Sequence, residues 1–204
     1  MYAVKSHTLQ RDGKPVAQRK TPNMGAVMRP EILVMHYTSG PTAEGAISWL
    51  CNPAAKVSAH LVIDHDGTVT QLVPFNRIAW HAGVSSYRGR SGVNSFSIGI
   101  ELANVGQLVR SADGRYLEPI KHQPVSPDKV IVAKHKNGGP EQGWMMFDQR
   151  QIAAAENVAR ALVDAYSLRD VVGHDDVAPG RKVDPGPAFP MRQFQGRVLG
   201  REAA

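Results

Sequence analysis

The sequence has almost no cysteine. Cys51 is alone among 204 residues, so no disulfide can form within the chain, and this composition suits a reducing compartment. Cys51 ends an apolar stretch, WLCNP, and no local signature of an activated thiol surrounds it. We therefore predict a buried structural thiol rather than a nucleophile.

Long apolar runs are also missing. No stretch approaches the roughly 18 apolar residues that a membrane helix needs, so no transmembrane segment is expected. The first residues, MYAVKSHTLQRDGK, do not place a basic segment before an apolar one, so no secretory signal is expected. As given, the sequence predicts a cytoplasmic protein, with periplasmic or extracellular action if a leader was removed or another export route is used.

The excess of positive charge has no pattern. The net charge is +6, but Lys and Arg are scattered, with no zinc-finger spacing, aromatic RNA-binding signature or basic helix. We therefore expect no nucleic-acid partner. Attraction to another anionic polymer or surface uses the same charge and stays open. We expect a monomer.

Strand and helix patterns alternate along the chain, which predicts a single α/β domain with a mixed central β-sheet flanked by helices. Residues 1–30 are interpreted as an arm or hairpin packed on the domain, with a turn at Asp12-Gly13. Residues 31–204 form the main domain, with a Gly/Pro-rich, irregular insert at about 104–147. The predicted elements are a strand at 31–37, a helix after Pro41 capped by Thr42, a hairpin around Asp66-Gly67, a strand in FSIGIELAN, a short strand at 130–133 and a helix in DQRQIAAAENVARALVDAY.

Two apolar strands end in histidine, at His36 and His174. If the strands are neighbours, both imidazoles project from one sheet edge, where sites in α/β sheets tend to lie. Asp175, Asp176 and Asp184 are candidates for a third ligand, and a strand-end histidine's neighbour points away from it, which disfavours Asp175. Two histidines and a carboxylate suit Zn²⁺ or another first-row metal. Hydrogen-bonded core histidines and a plain surface loop are the alternatives.

A carboxylate and an ammonium group complete the candidate site. Glu101 lies on a strand, where a carboxylate must be paired, face a water-filled cleft or be costly. It could serve as general base for a metal-activated water. Lys182 could stabilise an oxyanion. A salt-bridged strand residue and a solvated loop lysine are the alternatives.

Five ordered segments resemble a known family. VMHYTSG, VSAHLVIDHDGTVTQLVPF, AWHAGVSSYRGR, NSFSIGIELAN and VVGHDDVAPGRKVDPGPAFP are similar to the zinc-dependent N-acetylmuramoyl-L-alanine amidases, above all to the AmpD-type branch. A phage lysozyme and the animal peptidoglycan-recognition proteins belong to the same superfamily. The resemblance covers residues 31–103 and 148–190. The phage enzyme has a tyrosine where Ala59 precedes His60, so any role of that tyrosine is absent here or taken by Glu101.

The resemblance implies one Zn²⁺ per chain, held by His36, His174 and Asp184. It also implies that Glu101 is the catalytic carboxylate and that Lys182 stabilises the tetrahedral intermediate. The implied reaction is hydrolysis of the amide bond between the lactyl group of N-acetylmuramic acid and L-alanine, in peptidoglycan or in (anhydro-)muropeptides. A peptidoglycan-binding module without catalysis, and a phage or secreted lysin acting on the intact wall, are the alternatives.

The substrate contacts are expected to come from the strand ends and from the loop around WHAGVSSYRGR. The expected contact residues are Tyr37, His60, Trp80, His81, Tyr87, Arg88, Arg90 and Asn104. Structural packing is nearly as good an interpretation for His60. The insert at 104–147 follows the strand that carries Glu101, so we expect it to overhang the cleft and to select among substrates.

Overall fold

A computed structural model describes residues 1–201. Along this range the strands are β1 (Tyr2–Lys5), β2 (Thr8–Arg11), β3 (Lys14–Pro15), β4 (Ala17–Gln18), β5 (Met24–Val27), β6 (Ile32–Tyr37), β7 (Leu61–Ile63), β8 (Val69–Gln71), β9 (Arg77–Ala79), β10 (Ser86–Tyr87), β11 (Arg90–Ser91), β12 (Ser97–Leu102), β13 (Val109–Arg110), β14 (Tyr116–Leu117), β15 (Val130–Lys134), β16 (Glu141–Met145) and β17 (Asp170–Gly173). The helices are α1 (Ala43–Leu50), α2 (Gln149–Tyr166), α3 (His174–Val177) and α4 (Met191–Leu199), with 3₁₀ turns at Pro53–Ala55, Val93–Phe96 and Pro127–Lys129.

A six-stranded sheet lies at the centre, in the order β17-β6-β12-β7-β8-β4. β17, β6, β12 and β7 are parallel neighbours, β8 is antiparallel to β7, and β4 is parallel to β8. The sheet is therefore mixed, and the predicted α/β class is confirmed. The parallel strands are almost entirely buried, as strands covered on both faces are.

Alternation along β6 separates the two faces of the sheet. Leu33 and Met35 belong to the main core, which includes the apolar stripe of α2 and part of α4. Ile32 and Val34 belong to a different cluster on the opposite face. Because side chains alternate along a strand, His36 points to the same face as Val34, away from α2.

Local sequence accounts for the predicted helices and the hairpin. The side chain of Thr42 accepts a hydrogen bond from the Gly45 N–H and caps α1, as predicted. α2 buries a stripe at helical spacing that includes Ile152, Ala155 and Leu162. β7 and β8 pair across the Asp66-Gly67 turn.

The first residues of the chain lie in three different sheets. β1, β2 and β3 form an antiparallel three-stranded sheet, and the turn predicted at Asp12-Gly13 joins β2 to β3. β4 extends the central sheet and β5 pairs with β9. His7 Nδ1 lies 2.8 Å from the Tyr166 hydroxyl at the end of α2. The segment is thus more extensively paired than a single hairpin.

The segment at 104–147 is more ordered than its composition indicates. It contains two antiparallel pairs, β13–β14 and β15–β16, of which only β15 was expected. Trp144 on β16 is almost completely buried and belongs to the main core. The description of this segment as irregular is therefore wrong for β13, β14 and β16.

Cys51 is half-buried rather than buried. Its thiol lies 3.6 Å from the Arg19 carbonyl oxygen. Burial raises the pKa of the Cys51 thiol, which is the opposite of what an activated nucleophile needs. Among residues 1–201, no helix has the length and apolarity required to cross a bilayer.

Candidate active site

The two strand-end histidines meet at one edge of the sheet. β17 pairs with β6 in parallel, and Gly173 lies opposite Met35. The next residues along the two strands are His174 and His36, so both reach the carboxyl edge side by side. This confirms that the two histidine-bearing strands are neighbours. His174 is also the first residue of the short helix α3.

Three buried side chains converge there: His36, His174 and Asp184. His36 Nδ1 lies 2.9 Å from His174 Nδ1 and 3.0 Å from Asp184 Oδ2. His174 Nδ1 lies 2.9 Å from the same Asp184 oxygen. One atom of each side chain therefore faces a common point, and these three atoms could hold a metal ion.

Hydrogen bonds of the ring nitrogens that point away from the cluster assign the neutral tautomers of His36 and His174. His174 Nε2 lies 3.1 Å from the Ala82 carbonyl oxygen, which can only accept, so Nε2 carries the proton. On the other side, Ser97 Oγ donates to the Val93 carbonyl at 2.7 Å and therefore accepts from His81 Nε2 at 3.2 Å. His81 Nδ1 must then accept from His36 Nε2, 2.9 Å away.

This hydrogen-bond pattern leaves the inner nitrogens of neutral His36 and His174 without protons. Burial lowers the pKa of His36 to about 4. The proximity of His174 and Lys182 acts in the same direction, whereas Asp184 opposes the shift, so the neutral His36 ring is favoured. In these neutral tautomers the three inner atoms are electron-pair donors 2.9–3.0 Å apart, with no proton assigned between them. Such a cluster repels itself unless a cation lies among the donors, so the residues present fit a metal ion.

Glu101 lies beside the cluster, paired in register with His36 across β12 and β6. Its Oε2 is shielded from solvent and has no hydrogen-bond partner among residues 1–201. Burial, followed by the charge of Asp184, raises the pKa of Glu101 well above its usual value, and Lys182 opposes this shift. Glu101 and Lys182 both line the cleft that contains the three donors.

The loop that carries Asp184 is held by its own backbone and by the 104–147 segment. The Asp175 N–H donates to the Asp184 carbonyl oxygen at 2.8 Å. The Asp175 side chain turns away from the cluster, as expected, and lies 3.0 Å from His135 Nε2 and 2.9 Å from Lys136 Nζ. The turn of the hairpin β15–β16 is thereby attached to α3 and, through the Asp175 N–H, to the loop at residues 178–190 that carries Asp184, here named the metal loop.

The cleft in front of the cluster has a volume of about 560 Å³. Three of the expected substrate contacts border it: Tyr37, Trp80 and His81. Tyr37 is nevertheless buried, and Gly106 packs against its ring, where an added Cβ would lie 2.2 Å from a ring carbon. His81 is buried, with both ring nitrogens bonded within the protein.

The comparisons with known proteins agree with this geometry. Residues 26–187 match the family described as N-acetylmuramoyl-L-alanine amidase. The chain belongs to this amidase family. The matched range includes the 104–147 segment, which lay outside the motifs on which the resemblance was based.

Individual relatives give the same result. The chain is 34% identical over 215 aligned positions to 1,6-anhydro-N-acetylmuramyl-L-alanine amidase AmpD of Escherichia coli K12, covering 94% of this chain and 96% of that relative. A crystal structure of a selenomethionine AmpD derivative matches with a TM-score of 0.65 and 25% identity over 96% of this chain and 98% of that one. The E. coli amidase AmiD, solved with anhydro-N-acetylmuramic acid-L-Ala-D-gamma-Glu-L-Lys, matches with a TM-score of 0.61 and 28% identity over 95% of this chain and 64% of AmiD.

Two expected contacts lie behind the amidase cleft instead of in it. His60 is fully buried; it accepts from the Gly99 N–H at 3.0 Å, and its Nε2 lies 2.9 Å from the Arg77 carbonyl oxygen. Asn104 is fully buried too, accepts from the Gly106 N–H and donates to backbone carbonyls at the end of β16. Both side chains therefore hold backbone in place.

Three further expected contacts lie at the opposite end of the sheet. The Tyr87 hydroxyl donates to Asp170 at 2.6 Å, and Arg88 pairs with the same carboxylate. Arg90 pairs with Glu31, just before β6. Asp170 and Glu31 mark the amino ends of β17 and β6, whereas the amidase cluster is at their carboxyl ends. The structure therefore does not bring these three residues to the cleft.

The cleft residues that the sequence did not indicate include Trp49, Ile120 and Lys121. Trp49 lies off the buried stripe of α1 and is 59% exposed. An exposed tryptophan on the helix that follows the His36 strand was an available signal. Ile120 and Lys121 lie in a turn of the 104–147 segment, where no sequence periodicity marks them.

Proposed function

We propose that this chain is a zinc-dependent amidase that cleaves soluble 1,6-anhydro-muropeptides between the lactyl group of N-acetylmuramic acid and L-alanine. The observation that carries the proposal is the convergence of three proton-free donors on the wall of a cleft that also contains Glu101 and Lys182. A binding module without catalysis would have no use for a buried, unpartnered carboxylate oxygen beside such a cluster.

Zinc is the proposed metal, one ion per chain. His36, His174 and Asp184 would hold it, and two histidines with one carboxylate are a donor set that catalytic zinc sites use. The chemistry that zinc would supply there is Lewis-acid polarisation of the scissile carbonyl and acidification of water. Ca²⁺ and Mg²⁺ fit poorly because they prefer all-oxygen ligand sets.

The chain's own residues would carry the proton and the developing charge. Glu101 takes a proton from the attacking water and returns it to the L-alanine nitrogen as the C–N bond breaks. A carboxyl group with a raised pKa suits both steps because it can hold the proton between them. Lys182 places positive charge beside the carbonyl oxygen, where negative charge develops in the transition state.

Soluble fragments are the proposed substrates because of the relatives. AmpD is named for a 1,6-anhydro-N-acetylmuramyl-L-alanine substrate and aligns with this chain over nearly its whole length. AmiD has been solved with an anhydromuramyl tripeptide. A cytoplasmic role on recycled wall fragments belongs to the same proposal, and the single cysteine suits it.

Mass spectrometry of products tests the proposal. Purified, zinc-loaded protein is incubated with soluble 1,6-anhydro-muropeptides and, separately, with intact sacculi. We expect free stem peptide from the soluble substrate at a rate at least about tenfold above that from sacculi. Equal or faster release from sacculi would favour a lysin, and no release from either substrate would favour a binding module.

A further inference from the structure

The turn at residues 118–123 of the 104–147 segment reaches the amidase cleft and presents two side chains to it, Ile120 and Lys121. The turn is closed by its own backbone, since the Glu118 N–H donates to the Gln123 carbonyl oxygen at 2.9 Å. Glu118 is buried, whereas Ile120 is 62% exposed. The turn therefore has a fixed base and an apolar tip.

A continuous set of close contacts connects this turn to the metal loop. The ring of Tyr116, just before the turn, lies over Gly143 on β16, where a Cβ would lie 2.4 Å from a ring carbon. The next residue on β16, Trp144, lies against Gly186, where a Cβ would be 2.8 Å from the indole. Gly186 follows Asp184 by two residues. The tip is thus positioned by the same structure that positions the cluster.

The helix α1 lines the same cleft. Trp49 on this helix also lines the cleft and is 59% exposed. Ile120 and Trp49 thus leave large apolar surfaces open to solvent at the mouth of a cleft. Exposed apolar surface in such a place marks the binding site of a ligand that covers it.

The charges on the substrate indicate which part of it can bind against the apolar surfaces of Trp49 and Ile120. The stem peptide of an anhydromuramyl tripeptide carries carboxylates, and burying a charge against apolar walls is costly. The N-acetylated anhydro-sugar carries no charge when its lactyl group is in the amide bond. The C–H bonds of a sugar face can lie flat against an indole ring and an aliphatic side chain.

From these observations we infer that Trp49 and Ile120 form a specificity clamp for the anhydro-sugar, while Lys121 beside them attracts the anionic fragment. The inference rests on the proposed amidase function and identifies where its sugar end binds. Because no bond of the sugar ring changes in the reaction, contacts with this ring are the same in the substrate and in the transition state. Its loss should therefore raise KM and leave kcat unchanged.

The first experiment measures kcat and KM for Trp49→Ala and Ile120→Ala on an anhydromuramyl tripeptide. We expect KM to rise roughly tenfold in each variant, the value of about 1.4 kcal/mol of lost apolar contact, with kcat within about twofold of wild type. Val132→Ala is the matched control, because Val132 is a 54% exposed residue of the same segment that does not line the cleft; its KM should not change.

Product inhibition then identifies what the clamp holds. Inhibition of the wild type and of Trp49→Ala is measured with 1,6-anhydro-N-acetylmuramic acid and with the tripeptide L-Ala-D-gamma-Glu-L-Lys. The inference requires weaker inhibition of the variant by the sugar and unchanged inhibition by the peptide. Weaker inhibition by the peptide alone, or an unchanged KM in both variants, overturns it. An inactive wild type would instead contradict the proposed function.

Discussion

His81 fixes the ring orientation in which His36 Nδ1 faces His174 and Asp184. Its Nδ1 accepts from His36 Nε2, and Ser97 anchors its other nitrogen. Gly99 makes room for it, since a Cβ there would lie 2.5 Å from the His81 ring. Partners of this kind orient metal-bound histidines and raise their basicity.

His81→Ala should therefore weaken zinc binding about 10- to 100-fold, measured by competition with a chromogenic chelator. His81→Gln retains a side-chain carbonyl acceptor and should recover part of the affinity. His7→Gln, on the N-terminal arm, is the control and should bind zinc like wild type. Equal zinc affinity in His81→Ala and wild type would show that the hydrogen bond does not matter.

The proposed roles of Glu101 and Asp184 predict different zinc contents for variants at these two positions. Glu101→Gln is nearly isosteric, so this variant should retain zinc and lose about 10²–10⁴ in kcat, the contribution of general acid–base catalysis. Asp184→Asn removes a charged donor, so its zinc affinity should fall and added zinc should restore part of its activity. Zinc content and kcat are measured on the same samples. A Glu101→Gln protein without metal would contradict this division of roles.

His60 should make the fold sensitive to acid. Burial lowers its pKa to about 4, against a hydrogen bond to Arg77 that raises it. The unfolded chain, with a pKa near 6.5, binds more protons below that pH. The part of the unfolding free energy that depends on neutral His60 is therefore fully present above about pH 6.5 and is lost as the pH falls towards 4.

A non-titrating substitution tests this dependence. His60→Gln should reduce the loss of unfolding free energy between pH 7 and pH 5 by about 2 kcal/mol, measured by urea denaturation at both pH values. His122→Gln, at an exposed position, should leave the loss unchanged. The same pH dependence in His60→Gln and wild type would show that His60 is not the acid-sensitive group.

At the scale of elements, the metal loop is held against the β15–β16 hairpin by Gly186 and Trp144. Gly186 has φ +70°, and an added Cβ would lie 2.8 Å from the indole. Gly180, in the same loop, has φ +77° and no atom within 4 Å of its added Cβ. Substitution of either glycine therefore strains the backbone, but only an added Cβ at Gly186 collides with a neighbouring side chain.

Gly180→Ala should cost about 1–2 kcal/mol of unfolding free energy from the left-handed backbone alone. Gly186→Ala should cost about 1–3 kcal/mol more, because the indole must move in a packed interior. Chemical denaturation of both variants gives the difference directly. If the two variants were equally destabilised, Trp144 would not constrain the loop.

The sequence predicted elements best where one periodicity runs long enough to be recognised. α1, α2, the β7–β8 hairpin and the strands β6 and β12 are confirmed because burial on one or both faces imposes a pattern on them. β13 and β14 have two residues each, too few for any period. β16 contains Gly143 and Gln142, so its sequence does not indicate a strand. The packing of Tyr116 over Gly143 and the burial of Trp144 become visible only in the structure.

The site shows the same division. His36 and His174 could be brought together from the sequence because strand ends fix direction, whereas the resemblance to the amidase family was what implied Asp184 as the third donor. Arg88 and Arg90 follow the WHAG segment closely in sequence, but nothing in a loop's composition tells which end of the sheet it reaches. Their partners, Asp170 and Glu31, lie at the amino ends of the strands.

At the scale of the whole molecule, the donor cluster joins parts of the chain that are distant in sequence. His36 ends a strand near the start, and His174 and Asp184 lie 138 and 148 residues later. In the unfolded chain these donors are separated, so a metal that binds all three binds only the folded state. Such binding stabilises the fold by mass action, by about 4 kcal/mol at a free metal concentration 1,000 times Kd.

Removal of the metal should therefore lower the melting temperature of the whole domain by roughly 10 °C, since 1 kcal/mol corresponds to about 2–4 °C for a chain of this size. The measurement is a thermal scan by circular dichroism with excess zinc and after treatment with a chelator. Asp184→Asn is the comparison and should show a smaller difference between the two scans, because one of the three donors has lost its charge and the variant binds zinc more weakly. Val132→Ala should show the full difference. Identical melting temperatures for zinc-loaded and chelated wild type would mean that His36, His174 and Asp184 do not bind the ion together.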